Sequence, residues 1–109
     1  MVTGLLRGRV CRAKLQHIDE PKYFLVVSNN RRNEAFDQVL SVRLTTIAPR
    51  SPRPAMVELG HDEPLTGWAS CDDIEVLYPD EVQADLGVLT AAAMRRVEAG
   101  LRAALDLSR

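Results

Sequence analysis

Apolar and polar positions along the chain change period several times, and each change predicts an element. Residues 5–15 alternate, with Cys11, Ala13 and Leu15 on one side and Val10, Arg12 and Lys14 on the other. Strand side chains point alternately to two faces, so this stretch is expected as a strand with one wetter face. Gln16 to Pro21 is polar and reads as a loop. Tyr23-Phe24-Leu25-Val26-Val27 is an unbroken run of β-formers, the pattern of a central strand buried on both faces. It ends at Ser28-Asn29-Asn30-Arg31-Arg32-Asn33, expected as a polar, basic turn. From Val39 to Thr46, Leu40, Val42 and Leu44 form one face, and Ser41, Arg43 and Thr45 the other, where Val39 also lies. Ile47 to Pro54 holds Pro49, Pro52 and Pro54 and reads as a loop. Met56–Leu59, Thr66–Ser70 and Ile74–Leu77 predict short strands, the first ended by Gly60 and the last by Pro79.

The tail is the clearest helix. Thr90 is placed to cap it, and Leu89 and Met94 occupy the positions of a hydrophobic staple. Met94, Val97, Leu101 and Leu105 recur at spacings of three and four and make one apolar stripe. Glu98 precedes Arg102 by four residues, the favourable order for a helix ion pair worth about 0.2–0.5 kcal/mol. Gly100 costs roughly 1 kcal/mol against alanine in a helix; it either allows close approach to the sheet or has no role. Short strands with long loops, then one amphipathic helix, predict a mainly β fold with some α: a strongly bent small sheet or barrel plugged by the helix. The 109 residues suit one domain, 1–109, with no internal repeat or linker.

Composition narrows the function classes. With 46% hydrophobic and 27% charged residues, disorder is not expected. The aromatic share of 5% means that nucleic-acid binding cannot rest mainly on stacking platforms. No stretch approaches the roughly 18–20 apolar residues of a membrane span, and Met1 to Arg12 lacks the apolar centre of a signal peptide. Cys11 and Cys71 have no paired spacing and read as reduced, mostly buried thiols of a cytoplasmic protein. His17 and His61 are isolated, so neither a metal site nor a cofactor is expected. Net charge is −1, but residues 1–53 hold ten Lys/Arg against four Asp/Glu, and the remainder four against eleven. A basic half beside an acidic half fits a polyanion-binding face, or a dipolar surface with no partner.

Several motifs in register then resemble a known family. The chain has a basic opening strand with Arg7-Gly8-Arg9-Val10, then Pro21-Lys22-Tyr23-Phe24-Leu25-Val26-Val27-Ser28-Asn29. Val42-Arg43-Leu44-Thr45-Thr46, Pro64-Leu65-Thr66-Gly67 and Asp73-Ile74-Glu75 follow, with Leu86-Gly87 upstream of the closing helix. Over nearly its whole length this resembles the MazF/PemK toxins, in particular the branch of mycobacteria and other actinobacteria. The resemblance implies an SH3-like small β-barrel with a C-terminal helix, and a homodimer with an RNA groove across it. It also implies a type II toxin-antitoxin system with a MazE-like antitoxin as partner. The implied activity is metal-independent, sequence-specific cleavage of single-stranded RNA, which inhibits translation and growth. The substrate's 2′-hydroxyl attacks the adjacent phosphate and leaves a 2′,3′-cyclic phosphate and a 5′-hydroxyl.

Carried onto this chain, the family's catalytic pair falls on Lys22 and Thr45. Lys22 stands where the family more often has Arg. A lysine gives a compact point charge instead of a planar fork, and it can give up its proton. It is expected to stabilise the phosphoryl oxygens, to protonate the leaving oxygen, or both; the alternative is a solvated loop lysine. Thr45 is expected to donate to a non-bridging oxygen, the alternative being an ordinary strand-end threonine. Asp19 and Glu20 are candidates for the general base. Arg7, Arg9, Arg31, Arg32 and Arg43 are the phosphate candidates. Ser28, Asn29 and Asn30 are placed as RNA contacts, the asparagines reading unstacked bases or simply forming the turn. Asp73, with Asp72, is placed to accept from base amino groups. Trp68 reads as a core or dimer-interface residue rather than a base platform. Two other functions remain open: a gyrase-directed toxin of the same fold, which the lack of a C-terminal Trp disfavours, and a non-catalytic relic.

Overall fold

The β-branched and aromatic runs at the start of the chain become strands where the pattern predicts them. The computed structural model describes residues 4–107. Its elements are β1 (Arg9–Ala13), β2 (Lys22–Val26), α1 (Asn30–Ala35), β3 (Val39–Thr45), β4 (Met56–Glu58), β5 (Trp68–Leu77), β6 (Val82–Val88) and α2 (Ala91–Leu105). Among the described residues the strands form one antiparallel sheet in the order β4-β5-β3-β2-β1-β6. The mainly β class with a C-terminal helix is as expected. Met1 to Thr3, part of the stretch read against a signal peptide, lie outside the described residues. So do Ser108 and Arg109, part of the C-terminus weighed against a gyrase-directed toxin.

Strand parity puts a buried cluster on each face of the sheet. Val10, Leu25, Val42 and Leu44 join Val57, Leu59, Ala69, Leu89, Ala93 and Val97 under α2. Cys11, Phe24, Val26 and Val39 point the other way and meet Leu5, Leu15 and Leu77. Burial on both faces at β2 matches its continuous apolar run. The wetter face expected of β1 is narrower than alternation implied: Val10 is buried and Arg12 is exposed.

Four local readings are corrected. The basic turn after β2 is a short helix, α1, because the Asn29 side chain accepts from Arg32 N and caps it. Buried Ser28 and Asn33 seal its inner side, the Ser28 hydroxyl donating to Asn33 Oδ1 at 2.6 Å. The strands expected at 66–70 and 74–77 are one strand, β5. Its pairing to β3 jumps from Val42↔Ile74 to Arg43↔Ser70, so Cys71, Asp72 and Asp73 form a bulge instead of a break. β6, unanticipated as a strand, pairs with β1 across two register shifts; its mixed, largely exposed positions hide the alternation. Glu98 does not bond Arg102 but Arg7, at 2.6 Å, because Arg7 approaches from the start of β1.

α2 is capped as expected: the Thr90 hydroxyl accepts from Ala93 N. Glu63 holds Thr90 from the other side, accepting from its hydroxyl at 2.6 Å. The buried positions of α2 are Ala93, Val97 and Gly100, while Leu105 at the helix end is exposed. A Cβ at Gly100 would lie 2.7 Å from Val57 Cγ2 and 2.8 Å from Cys71 Sγ. Gly100 therefore allows close approach to the sheet. Among the described residues no helix is long and apolar enough to cross a membrane.

Candidate active site

The β2–β3 hairpin positions the proposed catalytic pair. Its register runs from Tyr23↔Leu44 to Val26↔Ser41. Continued by one residue, it sets Lys22 opposite Thr45. Thr45 in turn pairs with Trp68 on β5, and Trp68 with Glu58 on β4. Directly opposed residues in antiparallel strands present their side chains on one face. Lys22, Thr45, Trp68 and Glu58 thus form one row across four strands. The next row on that face carries Phe24, Arg43, Ser70 and Met56.

Lys22, Thr45 and Arg43 have these surroundings. Lys22 Nζ is 3.2 Å from Glu20 Oε1, so one of the two candidate bases touches the candidate cation. The Thr45 hydroxyl oxygen accepts from Ile47 N at 3.1 Å. That contact uses a lone pair and leaves the hydroxyl proton available to donate. Gly67 makes the strand contact possible here, since a Cβ on it would overlap the Thr45 carbonyl oxygen. Half-buried Arg43 lies 4.0 Å from Asp73, too far for a hydrogen bond. Ser41 shares the face of Arg43 as expected, is fully buried there and donates to Glu75 O at 2.9 Å.

The bulge in β5 turns Asp72 and Asp73 outward toward two arginines. Asp72 accepts from Arg53 Nε at 3.0 Å, and this bond holds its carboxyl below the usual range. Arg53 lies on the loop after Thr45; its pairing with Asp72 had no signal in the sequence, because the bulge sets it.

The remaining RNA-binding candidates lie elsewhere. α1 stands at the far end of β2 from Lys22, roughly 14 Å along the strand at about 3.4 Å per residue. Arg31 is exposed on it. Arg32 is tied down, donating to Gln38 O and Oε1 and lying 4.8 Å over the Phe36 ring. Asn30 Oδ1 accepts from Arg7 N at 2.7 Å. Arg7 also donates to Val27 O and Glu98. Arg9 bonds Asp85 at 2.6 Å, which lowers the Asp85 pKa. The structure thus brings Lys22, Thr45, Arg43 and Asp73 to one region, and Arg7, Ser28, Asn29, Asn30, Arg31 and Arg32 to another.

Both thiols lie inside the fold. Burial pushes Cys11 and Cys71 up to about 11, with Asp85 and Asp72 respectively adding to the effect. Among the described residues no three His, Cys, Asp or Glu side chains gather as metal ligands do. Two surface clefts, lined by Lys14, His17 and Tyr78 and by Glu58, His61 and Arg96, include neither Lys22 nor Thr45.

Comparison with known proteins shows the family. The pattern of the PemK-like, MazF-like toxins of type II toxin-antitoxin systems matches residues 7–105. The chain is 42% identical over 102 residues to endoribonuclease MazF1 of Mycobacterium bovis, covering 94% of this chain and 93% of that protein. Endoribonuclease MazF4 of Mycobacterium tuberculosis matches to the same extent. A mycobacterial endoribonuclease solved in complex with its cognate antitoxin superposes with a TM-score of 0.87 at 40% identity, covering 97% of this chain and 99% of that one.

Proposed function

Because the chain belongs to the PemK-like, MazF-like toxins of type II toxin-antitoxin systems and is an endoribonuclease of that family, we propose that it cuts single-stranded RNA at a short sequence, without a metal, on the face carrying Lys22 and Thr45. The observation that carries this reading is the register that sets Lys22 opposite Thr45, with Arg43 one row away. The substrate's 2′-oxygen attacks the adjacent phosphorus and forms the cyclic ester. The bond from phosphorus to the 5′-oxygen breaks. The 2′-proton leaves to a base, and the departing oxygen gains one.

Lys22 offsets the charge that builds on the phosphoryl oxygens and has a proton to give to the leaving oxygen. Thr45 donates to a non-bridging oxygen, its own oxygen held by Ile47 N. Of the two loop acids, Glu20 is the one in contact with Lys22 and is the better candidate to take the 2′-proton. Arg43 grips phosphate and Asp73 faces the bases, while exposed Arg31 attracts the strand at longer range. Arg7, Ser28, Asn29 and Asn30 serve this surface by holding α1 in place.

In this reading the toxin is a single domain, 1–109, that works in the cytoplasm as a homodimer. It is checked by a separate MazE-like antitoxin whose acidic, apolar segment covers the basic surface. Incubation with a long single-stranded RNA in excess EDTA, followed by mapping of fragment ends, tests the reading. Discrete cuts with 5′-hydroxyl ends are expected; intact RNA overturns it.

A further inference from the structure

We propose that Trp68 is a base-stacking platform for the nucleotide beside the scissile phosphate. The proposal rests on the catalytic reading of Lys22 and Thr45 and adds a ligand contact to it.

Four observations carry the assignment. Trp68 pairs with Thr45 directly, so its side chain rises on the face that bears the proposed reaction. It is half-buried but packs against neither buried cluster, which separates it from the core residues of β5 such as Ala69 and Cys71. Its indole N–H has no hydrogen-bond partner among the described residues and is not sealed from solvent, so it is open to a ligand. Gly67, immediately before it, seats β5 against the Thr45 carbonyl, which fixes the start of β5 at Thr45.

A nucleobase has a π-face whatever its identity, so an indole here grips the strand without dictating sequence. Strand spacing is about 4.8 Å, so a phosphate held at Thr45 leaves a neighbouring base within reach of the adjacent strand. The free N–H is then available to a base carbonyl or phosphate oxygen. This arrangement divides the work: Lys22 and Thr45 act on the phosphate, and Trp68 holds the base that would otherwise swing free. A stack made alike in the bound substrate and in the transition state strengthens substrate binding and leaves the chemical step to Lys22 and Thr45.

Trp68 is the only tryptophan of the chain, so its emission reports this position alone. The unmodified protein is titrated with a mixed-sequence 2′-O-methyl RNA, which lacks the attacking hydroxyl, while anisotropy of an end label follows binding. Quenching of Trp68 emission in step with binding is expected. Trp68→Ala should weaken binding on the order of tenfold, the typical scale of one lost stack, and Trp68→Phe should recover part of it. In steady-state cleavage the loss should appear chiefly in KM.

Binding with unchanged emission refutes the platform and leaves the cleavage reading standing. No binding of this analogue, together with an all-ribose RNA of the same sequence left intact by the unmodified protein, removes both. Emission that shifts with protein dilution instead of with RNA shows that a second copy covers Trp68, and also overturns the proposal. Should Trp68→Ala fail to fold, the unmodified protein and Trp68→Phe decide the matter.

Discussion

Arg7 Nη2 lies 2.6 Å from Glu98 Oε2, joining the start of the sheet to the middle of α2. The same guanidinium donates to Val27 O at 3.0 Å. Arg7→Ala and Glu98→Ala are each expected to lower unfolding free energy by roughly 1–2 kcal/mol, since the pair is partly shielded and charge-assisted. Urea unfolding measures this. Loss of RNA affinity in Arg7→Ala without loss of stability would contradict the structural role.

Arg31 has no such tether among the described residues and is exposed on α1. Arg31→Ala should leave stability within about 0.5 kcal/mol. It should also reduce the slope of log affinity against log salt by about 0.7, the value for one phosphate contact on a single strand. An unchanged slope removes Arg31 from the RNA path.

Gly100→Ala sets two effects of opposite sign against each other. Helix propensity gains about 1 kcal/mol. The new Cβ, at 2.7 Å from Val57 Cγ2 and 2.8 Å from Cys71 Sγ, forces α2 off the sheet, at about 1–3 kcal/mol. Net destabilisation is expected, read as a lower Tm. A higher Tm would show that the helix does not press on β4 and β5 as described.

Burial raises both thiols from 9.0 to about 11. Between those values an unfolded chain loses thiol protons that the folded chain keeps, so stability falls as pH rises through this window. The thiol contribution is fully present below pH 9. The denaturant midpoint should therefore drop from pH 9 to 11, and less so in Cys11→Ala/Cys71→Ala than in the unmodified protein. A drop of equal size in both assigns it to other groups. Thiol reagents at pH 8 should label Cys11 and Cys71 only as fast as the protein opens.

Periodicity made β2, β3 and α2 legible, because each buries an apolar run or stripe of the right period. It could not show that β5 continues through Cys71-Asp72-Asp73, since a bulge breaks alternation without breaking the strand. The turn residues after β2 concealed α1, although Asn29 is a strong helix cap in hindsight. Lys22 and Thr45 became candidates through family motifs, not through spacing. Their placement opposite one another is a matter of strand register. The fate of Arg7, Arg9 and Arg32 was not legible, because their partners Glu98, Asp85 and Gln38 are chosen by tertiary packing. The face that Trp68 takes was likewise not legible, because only its pairing with Thr45 sets it.

The most direct test compares unmodified protein, Lys22→Ala and Thr45→Ala on one long single-stranded RNA in excess EDTA, with rates and end groups read together. The account predicts discrete cuts with 5′-hydroxyl ends by the unmodified protein. It predicts a loss of about 10²-fold or more in each variant, the typical cost of a lost transition-state contact. Cutting by either variant at the unmodified rate would contradict the assignment of that residue to the reaction.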